Sequence, residues 1–166
     1  MLGVSKNKIT RGNASQFFVA GELCRRGYAA VVTMGNTPNT DVLVSNLEGT
    51  KFAHIQVKTY RPGKATCSVG LKAQTDYGKN FFWVLVGLPE KEQEADFGFY
   101  VIPSKEMSRN ITINHRNWLA SPGKNGQKHN DDSMRNVFIP PKENKEGWDI
   151  RKYEGRWDLI ERVLDI

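Results

Sequence analysis

Four side chains of this sequence could together handle a phosphodiester. Asp41 heads the apolar stretch VLVS, and Gln56 and Lys58 follow fifteen and seventeen residues later within KFAHIQVKT; Gln16 precedes them in NASQFFVAGELCRRGY. If KFAHIQVKT is a strand, its alternation turns Phe52, His54, Gln56 and Lys58 to one face and Ala53, Ile55 and Val57 to the other. The turn-forming NLEGT, Asn46 to Thr50, would return the chain as a hairpin and bring Asp41 beside that pair. A carboxylate so placed can hold a hard dication such as Mg²⁺ together with phosphate oxygens, beside the Lys58 ammonium. The ion would act as Lewis acid and water activator, while Lys58 stabilises the charge that develops on the phosphate.

The elements that must position these groups are legible in outline. A helix is expected from Asn13 to Arg26, with Asn13 as N-cap, Gln16 as the far member of a capping box and Gly27 as its stop. Phe17, Ala20 and Cys24, with Leu23 beside them, are its expected apolar stripe, and Cys24 its core filling. Strands are expected over Tyr28–Met34, Asp41–Ser45 and Lys51–Thr59, separated by the turns GNTPNT and NLEGT. The continuous apolar run from Phe81 to Leu88 predicts a strand buried on both faces. After the charged turn EKEQEAD, another strand is expected over Phe97–Pro103, then a helix from Ser104, its cap, to about Leu119. Trp157, Ile160 and Leu164 share a face of a short C-terminal helix, while residues 1–11 are expected to be loose.

In this setting the motif residues resemble those of the PD-(D/E)XK nuclease superfamily: a helix acid, an Asp at a strand start, and (D/E/Q)-x-K on the next strand. The resemblance runs through NASQFFVAGELCRRGY, NTDVLV and IQVKT, is nearest to small resolvase-type and homing-endonuclease-type members, and covers about residues 12–60. It implies an α/β, restriction-endonuclease-like fold, a central mixed β-sheet flanked by helices. It also implies a Mg²⁺- or Mn²⁺-dependent DNA endonuclease. The site residues would be Gln16, Asp41, Gln56 and Lys58, with Asp41 and Gln56 on the metal. Pairing of two copies to cut two strands is a further implication, and RNA stays open as a substrate. One domain spans 1–166, its nuclease-like core about 12–103 and a helical and loop extension 104–166.

The sequence departs from the pattern at two places. Gln56 replaces an acid that some active members also lack. Gln16 stands where active relatives carry Glu, so Asp41 is the only carboxylate of the four. Either Gln16 replaces a catalytic acid, by natural loss or deliberate inactivation, or Glu22 supplies the charge, or the protein binds nucleic acid without cutting it. Six helical residues turn about 240° net, which points Glu22 away from Gln16.

Charge and composition set the surroundings. Twenty-four Lys and Arg against eighteen Asp and Glu leave +6, a balance that favours a polyanionic partner. Two cysteines without C-x-x-C spacing make a disulfide scaffold or structural zinc a poor reading. Without a membrane-length apolar run or a signal-peptide core the chain is expected in the cytoplasm. Lys72, Tyr77 and Lys79 follow the motif strand as candidate nucleic-acid contacts. Arg116 and Lys124 belong to a second basic zone with Arg109, His115 and Lys128, around Trp118. Such a zone equally suits a solvated helix face or contact with an acidic protein.

Overall fold

The computed structural model describes residues 4–34, 37–89, 97–143 and 148–165, excluding the side chains of 4–7. Helix α1 runs Val4–Arg25, nine residues further toward the N-terminus than expected, so Asn13 lies inside the helix and is not its cap. No proline precedes Pro38, and a glycine such as Gly12 inside a helix costs only about 1 kcal/mol. At the other end the chain stops where expected. Gly27 takes φ +95°, its N–H donates to the Cys24 carbonyl at 3.0 Å, and the Tyr28 N–H reaches back to Leu23 at 3.2 Å. This is a Schellman closure, which requires the left-handed conformation that glycine adopts without strain.

The strands are β1 (Ala29–Val32), β2 (Val42–Ser45), β3 (Phe52–Tyr60), β4 (Thr66–Ser68), β5 (Phe81–Gly87), β6 (Gly98–Pro103) and β7 (Asn136–Phe138). The main sheet has the order β1-β2-β3-β5-β6, antiparallel throughout except for the parallel β3–β5 pair, while β4 and β7 form a separate two-stranded sheet. It is the mixed sheet expected from the sequence. Helix α2 (Ser104–Ala120) and helix α3 (Asp158–Asp165) complete the layers.

Two apolar clusters lie on opposite faces of the sheet. Val19 and Leu23 of α1 and Ile160 and Leu164 of α3 pack with Val42, Val44, Ala53, Ile55 and Val57. Phe81, Trp83 and Leu85 of β5 pack on the other face with Met107 and Ile111 of α2. Strand β5 is therefore buried on both faces, which is why its sequence shows no alternation. On α1 the buried stripe is Ser15, Val19, Ala20 and Leu23; Phe17 and Cys24, expected inside, are exposed. Ser104 is the first residue of α2, and its hydroxyl accepts the Tyr77 N–H at 2.8 Å instead of capping its own helix. The charged turn from Glu90 to Asp96 falls outside the described residues, as do Gly35 and Asn36 of the turn GNTPNT.

Candidate active site on the open sheet face

The register of the first three strands assembles the site. Val42 pairs with Ile55, so Asp41, one residue earlier, falls opposite Gln56; its N–H donates to the Ile55 carbonyl at 2.8 Å. Ile55 and Val57 enter the core, so Gln56 and Lys58 point to the opposite face. In register they adjoin Trp83 and Leu85 of β5, over which α2 packs. Toward β1 that same face is open: Val31, Phe52 and His54 are exposed on it.

Asp41 is oriented from several sides. Its Oδ2 accepts the Val57 N–H at 2.7 Å and a hydrogen bond from Gln56 Nε2. Using its nitrogen in this way leaves Gln56 with its carbonyl oxygen as the group able to face a cation. Asp41 Oδ1 has no hydrogen-bond partner among the described residues. On the main chain, the Thr33 N–H donates to the Asp41 carbonyl at 2.9 Å, and the Thr33 hydroxyl to the Thr40 carbonyl at 2.6 Å. The Thr40 hydroxyl lies 3.1 Å from His54 Nδ1, and Asn39, at φ +60°, makes the bend that enters β2. Thr33, Thr40 and His54 are thus positioning groups that no sequence motif marks. Their signature is register, of β1 with β2 for Thr33 and of β2 with β3 for Thr40 and His54.

Burial raises the Asp41 carboxyl above its ordinary value, because ionisation loses hydration there. The Val57 N–H, the Lys58 ammonium, the Gln56 amide and the Lys72 ammonium pull it back, without cancelling the rise. Lys72 sits on a 3₁₀ turn, Leu71–Gln74, so this turn brings a second cation into the field of the site. Gln16 and Asp41 line one cleft of 940 Å³ between α1 and β1, whose walls include Phe17, Val31 and Met34. The Gln16 side chain makes no hydrogen bond among the described residues. Glu22 is committed elsewhere: it bonds Arg25 and Arg26 at 2.8 Å each, and these partners hold its carboxyl down to about 2. The idea that Glu22 supplies the missing charge at Asp41 fails on this pairing.

The remaining candidates are scattered. Tyr77 stacks on Phe81 with centroids 4.6 Å apart, Lys79 lines a shallow depression with His54, and Arg116 and Lys124 are exposed on α2 and the loop after it. Among the described residues no group of three or more His, Cys, Asp and Glu could hold a metal ion. No helix is long and apolar enough to cross a membrane, again among the described residues.

No known sequence family and no curated protein matches the chain. Among solved structures it is similar to a bacterial homing endonuclease, I-Ssp6803I. The TM-score is 0.53 and 17% of residues are identical, over 93% of this chain and 92% of that one. Nearly the whole chain therefore shares a nuclease-like α/β fold, including the segment beyond Pro103 that carries no recognisable motif.

Proposed function

We propose that this protein is a divalent-cation-dependent DNA endonuclease of the PD-(D/E)XK type, weakened by glutamine at its helix position. The observation that carries the reading is the oriented Asp41 carboxylate, with Gln56 bonded to it, Lys58 next on the same strand face and Gln16 in the same cleft. The donor chemistry fits Mg²⁺ or Mn²⁺ if substrate phosphate completes the set. Asp41 Oδ1 supplies the one anionic oxygen and the Gln56 carbonyl a neutral one, and Mg²⁺ commonly takes one or two carboxylates with phosphate oxygens and water. The bound ion would supply Lewis acidity and a more acidic water.

The chain's own groups do the rest. Lys58 stabilises the added negative charge as water oxygen bonds to phosphorus and the ester P–O bond breaks. The Val57 N–H and Gln56 amide fix the Asp41 rotamer, so no reorientation is needed during the reaction. Lys72 holds a flanking phosphate. Gln16, lacking a charge, can orient a water but cannot add to the pull on the cation, which makes it the weakest part of the site.

Cleavage of supercoiled, linear and four-way-junction DNA with Mg²⁺ or Mn²⁺ tests this, comparing the native chain with Gln16→Glu and Asp41→Ala. The expected result is cleavage that rises in the first variant and vanishes in the second. A second reading has its own support in the single carboxylate: a nucleic-acid-binding module that no longer cuts. It requires salt-dependent DNA binding that is indifferent to Mg²⁺ and to Asp41→Ala, with no cleavage from any of the three proteins.

A further inference from the structure

A second pocket lies away from the carboxylate, where the outer face of the β4–β7 sheet meets the C-terminal half of α2. Its volume is 230 Å³. Pairing of Cys67 with Val137 turns those two side chains into the core, so Thr66, Asn136 and Phe138 occupy the opposite, pocket-lining face. Trp118 contributes from α2, and it is 41% exposed whereas Trp83, Trp148 and Trp157 are buried.

The polar part of the wall is held rigidly. Arg135 is 4% exposed and bonds Gln74 Oε1 at 2.9 Å, the carbonyls of Asp132 and Met134 at 2.6 and 2.9 Å, and Asp131 Oδ1 at 3.2 Å. One N–H on its Nη2 has no acceptor among the described residues. His115 Nε2 lies 2.8 Å from Asp131 Oδ1 while its ring stacks on Trp118 at 5.5 Å; His129 stacks on the same indole at 4.0 Å. These contacts brace the Trp118 ring and orient the Arg135 guanidinium.

We propose that this pocket receives a single unstacked nucleobase. Its volume is below the roughly 300–1,000 Å³ of pockets for drug-sized ligands. Flat aromatic walls with an amide, a hydroxyl and a spare guanidinium N–H match an object that is planar, apolar on its faces and polar at its edge. Bases taken out of the stack are read in this way. The surroundings carry both signs: Lys128 adjoins His129 and Arg116 is exposed beside His115, while Asp132 lines the pocket and Asp131 is taken up by His115 and Arg135. The Arg135–Gln74 bond also ties the pocket to the turn that carries Lys72, whose charge reaches Asp41. A nucleic acid held at Asp41 by the nuclease reading, on which the inference rests, would place a displaced base on this side of the sheet.

The test is an NMR titration of the full chain, ¹⁵N-labelled and without divalent ions, using dAMP, dCMP and deoxyribose 5-phosphate. The two nucleotides are expected to shift the Trp118 indole N–H and the Asn136 side-chain amide, and the sugar phosphate neither. Asn136→Leu and Thr66→Val should each weaken nucleotide binding about tenfold, the effect of a hydrogen bond left unmade in a desolvated site. Absence of these shifts at about 10 mM nucleotide, equal shifts with the sugar phosphate, or unchanged affinity in both variants overturns the proposal. Asp41→Ala must leave the titration intact. Binding that persists without cleavage from any variant then refutes the nuclease reading alone, and cleavage without nucleotide shifts refutes the pocket alone.

Discussion

Replacing Asp41 by Asn and by Ala should separate the carboxylate's chemical role from its structural one. The side chain accepts the Val57 N–H at 2.7 Å and the Gln56 amide, and Val57 is buried. Alanine removes the oxygen that both donors share and leaves a buried backbone donor unmade, at a cost of about 1–3 kcal/mol. Part of that is returned because a desolvated carboxylate is removed as well. Asparagine keeps an oxygen for the Val57 N–H while discarding the charge, so Asp41→Asn should be at least as stable as the native chain near pH 7 and Asp41→Ala less stable. The pH dependence has a definite sign. Burial raises the folded-state pKa of Asp41 above its ordinary value of 3.8, so the native carboxyl favours folding when protonated and loses that contribution as pH rises through its folded value. The advantage of Asn over Asp should therefore be full at neutral pH and shrink as pH falls toward 3.8. Urea titrations at several pH values measure the difference, with m-values checking that the unfolding reaction is unchanged. Cleavage should be absent from both variants. An Asn variant that cuts DNA normally, or is less stable than the Ala variant at pH 7, refutes this account of the site.

Other perturbations have clear expected outcomes. Lys58→Ala should lower single-turnover cleavage by about 10²–10³-fold, the usual cost of losing a charge-stabilising donor. Its urea midpoint should fall only slightly, because Lys58 makes no hydrogen bond among the described residues and its removal costs only the attraction to the Asp41 carboxylate. Ser15→Ala should do the reverse: the fully buried Ser15 hydroxyl accepts from Thr59 at 2.8 Å, tying α1 to β3. The loss of about 1–3 kcal/mol should appear as a fall in Tm of about 2–4 °C per kcal/mol for a chain of this length. Glu161→Gln removes a partner of Arg26 at 2.9 Å in a partly exposed pair, and should cost under about 1 kcal/mol and less at high salt. Glu22, held down to about 2 from 4.5, contributes stability that is whole above pH 4.5 and lost as pH falls through 2. Glu22→Gln should flatten that part of a pH–stability curve.

The sequence was most legible where a single physical constraint decided the outcome. Period-two alternation put Gln56 and Lys58 on one face of β3, and Phe81–Gly87 showed by unbroken apolarity that both its faces are covered. Legibility failed where two constraints competed. Asn13 is a good cap by residue type, but nothing before it breaks a helix, so the helix runs on to Val4. Phe17 outranks Ser15 in hydrophobicity, yet Ser15 occupies the buried stripe because Thr59 satisfies its hydroxyl. The three-residue strands β4 and β7 are too short to show a period, and they find each other across about seventy residues. No local pattern encodes that pairing, and the pocket built on it was invisible for the same reason.

The position of Asp41 makes the charge count around it decisive. A carboxylate at a sheet edge could acquire a second acid from a flexible neighbour. Asp41 is instead fixed by β1 through Thr33, by β3 through Ile55 and Val57, and by its own side-chain bonds. Among the described residues that line the cleft with it there is no second acid, so further negative charge must arrive with the ligand. On α1 the cleft presents the neutral Gln16, and Glu22 is already bound by two arginines. If a cation binds here, most of its remaining anionic ligands must arrive with the phosphate backbone, so cation and nucleic acid should bind cooperatively. Gln16→Glu should weaken that dependence. Mn²⁺ binding followed by magnetic resonance, with and without non-cleavable DNA, should show a larger DNA-induced gain in the native chain than in Gln16→Glu. An equal gain in both would mean that the helix position does not face the cation.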